Sequence, residues 1–260
     1  MIELTGIQKR FGKNEVLKGI SFSVHPGEFV CITGPSGVGK STLISILIGS
    51  ETFDDGSVNI DGAELRAIPP RALQLYRRRI GVIFQDYKLL WNRTVAENIA
   101  FPLDICGASP GVTRRRVAEV LRQMNLERQA DVPCHALSGG EKARTAIGRA
   151  IAHKPMIILA DEPTGNLDPR ESMRIMQIFK DIHAQGATIL LATHDTIIVD
   201  SLNTRVITLE DGLIARDSIG KYREPPTQTQ ETVHPSAKED DPEKPSRKGK
   251  GSVKIISTSK

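Results

Sequence analysis

The sequence predicts an α/β fold organised around a phosphate-binding loop. Residues 34–42, Gly-Pro-Ser-Gly-Val-Gly-Lys-Ser-Thr, fit the pattern G-x-x-x-x-G-K-[ST]. A short β-rich run at residues 28–33 precedes this stretch, and a helical run at 43–49 that ends in glycine follows it. Two more apolar runs, at 156–160 and 188–192, are typical of parallel strands that are buried on both faces. The strand at 28–33, the loop at 34–42 and the helix at 43–49 follow one another in the order that the motif requires.

The chemistry of the loop follows from the charge of a triphosphate. Backbone N–H groups that point inward cradle the phosphates, and glycine permits the necessary dihedral angles. Lys40 is expected to reach the β- and γ-phosphates, and the Ser41 hydroxyl is expected to bind Mg²⁺. A chance match arises in roughly one per cent of chains of this length, and the flanking strand and helix make chance a poorer explanation still.

Length and composition limit the possible classes of protein. The chain has 260 residues, enough for one large domain or two small ones, and a net charge of +4, which does not by itself indicate nucleic-acid binding. No apolar run approaches the ~18 residues of a membrane span, and the N-terminus lacks the features of a signal peptide. Cys31, Cys106 and Cys134 form no C-x-x-C pair, which favours reduced thiols in a cytosol.

The segments on either side of the loop contain two residues with open alternatives. Residues 2–4 and 20–24 are predicted strands, and Phe11 falls in a polar connection between them. Phe11 either stacks on a nucleobase or is an ordinary partly buried side chain, and the local context alone favours the second. Gln85 follows a predicted strand at 80–84 and is either a ligand to metal or water, or a surface amide.

Helices are predicted between residues 94 and 130. Thr94 to Glu97 has the pattern of a capping box, and residues 112–126 carry apolar positions spaced for one buried helix face. Residues 137–141, Leu-Ser-Gly-Gly-Glu, precede another predicted helix. They are either a second anion-binding element or an ordinary N-cap with a flexible approach.

Polar residues follow the two later apolar strands. Asp161 and Glu162 end the first run, and the carboxyl ends of strands are where chemistry occurs in open α/β sheets. Asp161 is expected to hold Mg²⁺ through water and Glu162 to polarise the attacking water. The alternative is that these carboxylates only begin an acidic surface loop. The phosphate loop in the same chain favours the catalytic interpretation. His194 after the second run either senses a γ-phosphate or is structural.

The composition changes after residue 221. Residues 1–221 are predicted to be the folded domain. Residues 222–260 are rich in Pro, Thr, Gln, Glu and Lys, which predicts a disordered tail. Its last part is basic, so it is either a solvated tail, the preferred interpretation, or a weak contact for anionic lipid or nucleic acid.

Together these motifs resemble those of the ATP-binding cassette (ABC) ATPases over roughly residues 1–220. The resemblance implies a P-loop NTPase fold with a RecA-like core, an antiparallel β subdomain and an α-helical signature subdomain. The motifs occur in the family's order: Walker A at Gly34–Thr42, the Q-loop at Gln85, the signature at Leu137–Glu141, Walker B ending at Asp161 and Glu162, the D-loop at Gly165–Asp168, and the switch histidine at His194. The signature is specific to this family, which a phosphate loop alone is not.

The resemblance also implies a role for each site residue. Glu162, His194 and Lys40 would be catalytic, and Ser41, Gln85 and Asp161 would hold Mg²⁺. The ATP-binding residues implied are Phe11, Val16, Gly34, Pro35, Ser36, Gly37, Val38, Gly39, Lys40, Ser41, Thr42, Gln85, Ser138, Gly139, Gly140, Glu141 and Asp168. In this family two cassettes meet head to tail, and the signature of each binds the γ-phosphate of the ATP held by the other.

Within the family, residues 84–90, 93–95 and 161–168 resemble the cell-division branch, and they are partly shared with lipoprotein-release and macrolide-export ATPases. This implies an integral membrane subunit as partner and a location on the inner face of the cell membrane. A soluble ABC protein that acts on nucleic acid is a further alternative, although one cassette without a long insertion argues against it. Tyr87, Leu89, Leu90 and Trp91 either line the groove for the partner or belong to the core. Lys142 and Ala143 depart from the family's two glutamines, and Lys142 is expected to tune ATP affinity.

Overall fold

The computed structural model describes residues 1–220, in which ten strands form two sheets and seven α-helices flank them. The strands are β1 Ile2–Phe11, β2 Asn14–Val24, β3 Phe29–Thr33, β4 Asp55–Ile60, β5 Ala63–Glu64, β6 Ile80–Ile83, β7 Ile157–Asp161, β8 Thr188–Ala192, β9 Arg205–Glu210 and β10 Leu213–Ile219. The helices are α1 Lys40–Leu47, α2 Pro70–Arg77, α3 Val95–Ile105, α4 Pro110–Gln123, α5 Gly139–Ile151, α6 Pro169–Ala184 and α7 Thr196–Leu202. The predicted tail, residues 222–260, lies outside the described residues.

The strand order of the larger sheet determines where the candidate functional site lies. Its strand order is β10-β9-β3-β8-β7-β6, and every pair except β10 with β9 is parallel. All residues of β3, β7 and β8 are buried, which confirms the prediction that continuous apolar runs form central parallel strands. Because parallel strands end at the same edge, the residues that follow β3, β6, β7 and β8 meet there.

The smaller sheet is antiparallel, with strand order β2-β1-β4-β5. Its inward side chains Ile2, Leu4 and Ile7 are almost fully buried and belong to the same hydrophobic cluster as Leu43 and Ile44 of α1. The helix that begins at the phosphate loop therefore shares one hydrophobic core with the smaller sheet. Phe11, predicted in a connection, is the last residue of β1 and is 48% exposed.

The third part of the fold is helical. Two helices, α3 and α4, lie in the region where helices were predicted, residues 94–130, and residues 106–109 separate them. Gly107 has a φ of +78°, a left-handed conformation that ends the first helix. The predicted capping box at Thr94 and Glu97 is confirmed. α3 and α4 pack on α5, and Val120, Met124 and Ile147 are buried in their shared core.

Candidate nucleotide site

The phosphate loop, residues 34–39, connects the end of β3 to the start of α1. Gly34, Gly37 and Gly39 have φ angles of +141°, +82° and +112°, which L side chains rarely adopt. A Cβ atom at Gly34 would also clash with the carbonyl oxygen of Leu209. Both the backbone conformation and the lack of space therefore require glycine, as the motif predicts.

Lys40 follows the loop as the first residue of α1, and only 5% of its surface is exposed. Its Nζ donates hydrogen bonds to the carbonyl oxygens of Gly34 at 2.9 Å and Pro35 at 3.2 Å. The same Nζ is 3.6 Å from Oε1 of Glu162. A largely buried ammonium group is thus held against two backbone carbonyl oxygens of the loop, where it attracts phosphate oxygens more strongly than it would in water.

Asp161 ends β7 and faces the first turn of α1. It is buried, and its Oδ1 accepts a hydrogen bond of 3.0 Å from the Ser41 hydroxyl. Burial raises the pKa of the Asp161 carboxyl, and the nearby Glu162 acts in the same direction, whereas the bond from Ser41 opposes the shift. A hydroxyl and a carboxylate oxygen in contact form the kind of oxygen donor set that Mg²⁺ prefers.

Glu162 follows with a φ of +45°, an uncommon conformation for a residue other than glycine. Its backbone N–H donates to Ala192 O at 2.9 Å, which anchors it to the end of the neighbouring strand β8. Its side chain is 9% exposed, and its Oε1 lies 2.7 Å from Nδ1 of His194, which is 55% exposed. The two residues therefore form a hydrogen-bonded pair at the mouth of the loop.

These elements enclose a cavity of about 210 Å³. The residues that line it are Ser36, Gly37, Gly39, Lys40, Ser41, Thr42, Gln85, Glu162 and His194. Four segments that are far apart in the sequence thus meet around one polar cavity, at the strand edge where they were expected.

Other predicted site residues lie elsewhere. Val16 borders the loop, since a Cβ atom at Gly39 would lie 3.1 Å from its side chain, and Phe11 is exposed. The signature residues do not line the cavity. Ser138 caps α5 in a reciprocal capping box with Glu141, and Asp168 caps α6.

Two arginines of α5 were not found from the sequence. Arg149 donates hydrogen bonds of 2.6 Å to the carbonyl oxygens of both Tyr87 and Lys88, in the loop after Gln85. Arg144 forms an ion pair of 3.2 Å with Glu171 of α6. Their partners are 62 and 27 residues away, so no local pattern could have indicated either contact.

Comparisons with known proteins agree with this geometry. The model of the ABC transporter family matches residues 17–165. A dimeric post-hydrolysis structure of the ATP-binding cassette MJ0796, bound to ADP and Pi, has a TM-score of 0.78 and 35% identity; the match covers 86% of this chain and all of that one. The chain belongs to the ABC transporter family, as an ATP-binding cassette that hydrolyses ATP.

Full-length relatives narrow the assignment within the family. The cell division ATP-binding protein FtsE of Bacillus subtilis (strain 168) is 44% identical over 224 residues, which are 85% of this chain and 98% of FtsE. The methionine import ATP-binding protein MetN of Brucella abortus (strain 2308) is 42% identical over 218 residues, 84% of this chain but 59% of MetN. The chain is thus a homologue of FtsE over nearly the whole of that protein, whereas it spans only part of MetN.

Proposed function

We propose that this chain is the ATPase subunit of an FtsE/FtsX-like membrane complex, in which ATP-driven closure of a cassette dimer controls cell-wall hydrolysis during division. The observation that carries the ATPase chemistry is the cavity in which Lys40, Glu162 and His194 converge. The similarity to FtsE across nearly its full length supports the cell-division role.

The residues divide the chemistry among them. Lys40 and the loop N–H groups bind the β- and γ-phosphates, and Phe11 and Val16 flank the nucleoside. Glu162 polarises the attacking water, and His194, which is bonded to the Glu162 carboxylate at 2.7 Å, orients that carboxylate and contacts the γ-phosphate. Burial of the carboxylate keeps its field unscreened by solvent.

Mg²⁺ fits the oxygen donors of this site. Ser41 and Asp161 are already hydrogen-bonded to each other, and Gln85 lines the same cavity. We assign these three residues to the ion, which supplies charge neutralisation at the phosphates when it is bound.

A head-to-tail dimer explains why the signature lies outside the cavity. Ser138, Gly139 and Gly140 form the N-terminus of α5, where N–H groups attract anions, yet they do not line the cavity of their own chain. In the dimer they bind the γ-phosphate held by the second copy, and Glu141 and Asp168 keep their helix ends in place. The dimeric state of the MJ0796 cassettes supports this arrangement.

A groove of about 340 Å³ provides the surface for a membrane subunit. Its apolar lining residues include Val82, Phe84, Leu90, Phe101 and Ile105. The basic residues Arg77, Arg78, Lys88 and Arg149 also line it. The groove fits a segment of the partner that carries both apolar and acidic side chains.

The sequence left open whether four residues after Gln85 line this groove or belong to the core. Tyr87 and Leu89 are buried in the helical core, whereas Leu90 lines the groove. Trp91 is 48% exposed and faces the Lys142 ammonium, which lies 5.2 Å from the centre of its ring. The four residues therefore have different environments.

In residues 1–220 no helix is both long and apolar enough to cross a bilayer. We place the protein on the cytoplasmic face of the membrane, held there by its partner. A second candidate keeps the ATPase and changes the permease to that of a transporter, which the similarity to MetN supports. The proposed contact of the tail with lipid or nucleic acid concerns residues outside the described part of the chain.

Co-purification with the FtsX-like protein of the same organism tests this function. We expect the tagged chain to retain it, and we expect Ile105→Asp to lose it, because Ile105 is 47% exposed in the groove. Val112→Asp is the matched control, since Val112 is 45% exposed on α4 and outside the groove. Recovery of a different permease would support the transporter candidate, and recovery of no membrane protein would contradict both.

A further inference from the structure

Glu171 connects α6 to the first turn of the signature helix α5. Its Oε2 accepts a hydrogen bond of 3.2 Å from the Arg144 guanidinium. A Cβ atom built at Gly140 would lie 2.6 Å from the same oxygen. The carboxylate therefore lies directly against the backbone of Gly140, a signature residue, and touches Arg144 one turn further along the helix.

The same residue is fixed to the D-loop. Asp168 Oδ1 accepts hydrogen bonds from the backbone N–H groups of Arg170 at 2.9 Å and Glu171 at 3.0 Å. At the start of the D-loop, Gly165 N–H donates to the carbonyl oxygen of Glu162 at 3.1 Å. Hydrogen bonds thus fix both ends of the D-loop, to Glu162 at its start and to Glu171 just after its end.

The ion pair is partly shielded from solvent, with side-chain exposures of 18% for Arg144 and 21% for Glu171. Within residues 1–220, Glu171 is the ion-pair partner of Arg144, and the buried Nε of Arg144 has no hydrogen-bond partner. Loss of the carboxylate would leave a half-buried guanidinium unpaired, and such groups move to recover solvation. The first turn of α5 would move with it.

We propose that Glu171 is a positioning residue that holds the signature of one protomer in the geometry required by the ATP of the other. This inference rests on the head-to-tail dimer proposed above. Glu171 sets the position of Gly140 in its own chain, but that glycine serves the partner's ATP. Loss of Glu171 therefore impairs the opposite site more than its own.

Mixed dimers test this directional effect. When the wild-type chain is mixed with about a tenfold excess of the Glu162→Gln chain, mass action pairs most wild-type chains with a variant chain. Each mixed dimer then has one active site, the one that contains the wild-type Glu162. Glu171→Gln is then placed either on the excess inactive chain or on the active chain. We expect kcat/KM for ATP to fall by about tenfold in the first arrangement and to stay within about twofold in the second.

Glu119→Gln is the matched control, because Glu119 pairs with Arg116 on the surface of α4, away from the signature. Glu119→Gln should leave kcat/KM for ATP unchanged in both arrangements. An equal loss in both arrangements would identify a general folding defect and overturn the proposal, as would a loss confined to the active chain or no loss at all. If the unmodified pair forms no ATP-dependent dimer in size-exclusion chromatography, the proposed dimer itself fails, and the inference fails with it.

Discussion

The carboxylate of Asp161 destabilises the folded protein at the position where we propose that it binds Mg²⁺. It is buried at the end of β7, where burial and the neighbouring Glu162 raise its pKa. A raised carboxyl pKa means that the charged form destabilises the folded protein when no cation is bound. A residue retained despite that cost is consistent with the Mg²⁺ role proposed for it.

We therefore expect Asp161→Asn to stabilise the protein without nucleotide or Mg²⁺ and to abolish hydrolysis. Asparagine still accepts the hydrogen bond from Ser41 but carries no buried charge. The gain should be about 1 kcal/mol, or a rise in Tm of about 2–4 °C in thermal unfolding. Asp217→Asn is the control with the opposite sign, because it removes a carboxylate that pairs favourably with Arg205. A lower Tm for Asp161→Asn would contradict this account.

The same shift predicts a pH dependence. As pH falls through the raised pKa of Asp161, the wild-type carboxyl takes up a proton in the folded state before it does so in the unfolded state. Protonation thereby removes the buried charge that destabilises the folded wild-type protein. The difference in Tm between Asp161→Asn and the wild type should therefore be largest near neutral pH and should shrink in acid. A difference that grows as pH falls would contradict the assignment.

At the scale of elements, α5 is the helix that connects the separate parts of the site. Its N-terminus carries the signature, Arg144 contacts α6, and Arg149 holds the loop that follows Gln85. Tyr87 and Lys88 in that loop have φ angles of +60° and +46°. The two hydrogen bonds from Arg149 hold their carbonyl oxygens in this uncommon conformation, next to the proposed partner groove.

We expect Arg149→Lys to destabilise this loop, because an ammonium cannot reproduce the two-pronged contact of a guanidinium. The free energy of unfolding should fall by about 2 kcal/mol, measured by urea denaturation. Arg128→Lys, at an exposed position of the short 3-10 helix Glu127–Gln129, is the control and should change the free energy of unfolding by less than about 0.5 kcal/mol. A change for Arg149→Lys no larger than that of the control would show that the contact does not hold the loop.

On the scale of the whole molecule, the sequence predicted those features of the fold that depend on residues close together in the chain. The glycines of the phosphate loop, the buried strands β7 and β8 and the Thr94 capping box follow from spacing and residue type, and the structure has all of them. The family resemblance implied a RecA-like core and an antiparallel β subdomain, but the strand order of the two sheets came only from the structure, because it depends on contacts between distant segments.

What the sequence did not predict is non-local or conformational. The pairing of Arg149 with the carbonyl oxygens of residues 87 and 88 and the contact of Glu171 with Arg144 depend on how helices pack. The left-handed backbone of Glu162 also has no sequence signal, since glutamate rarely adopts it. The sequence indicated helices between residues 94 and 130 but did not give the residues at which α3 ends and α4 begins.

The most direct test of the central claim is the oligomeric state of Glu162→Gln. We expect it to bind ATP but to release phosphate at least about 100-fold more slowly than the wild type, because the group that polarises water is lost. It should then accumulate as a dimer in size-exclusion chromatography with ATP and Mg²⁺ and elute as a monomer without nucleotide. Glu210→Gln, at an exposed strand end, should behave like the wild type. A Glu162→Gln protein that remains monomeric with ATP bound would contradict the proposed cycle of dimer closure.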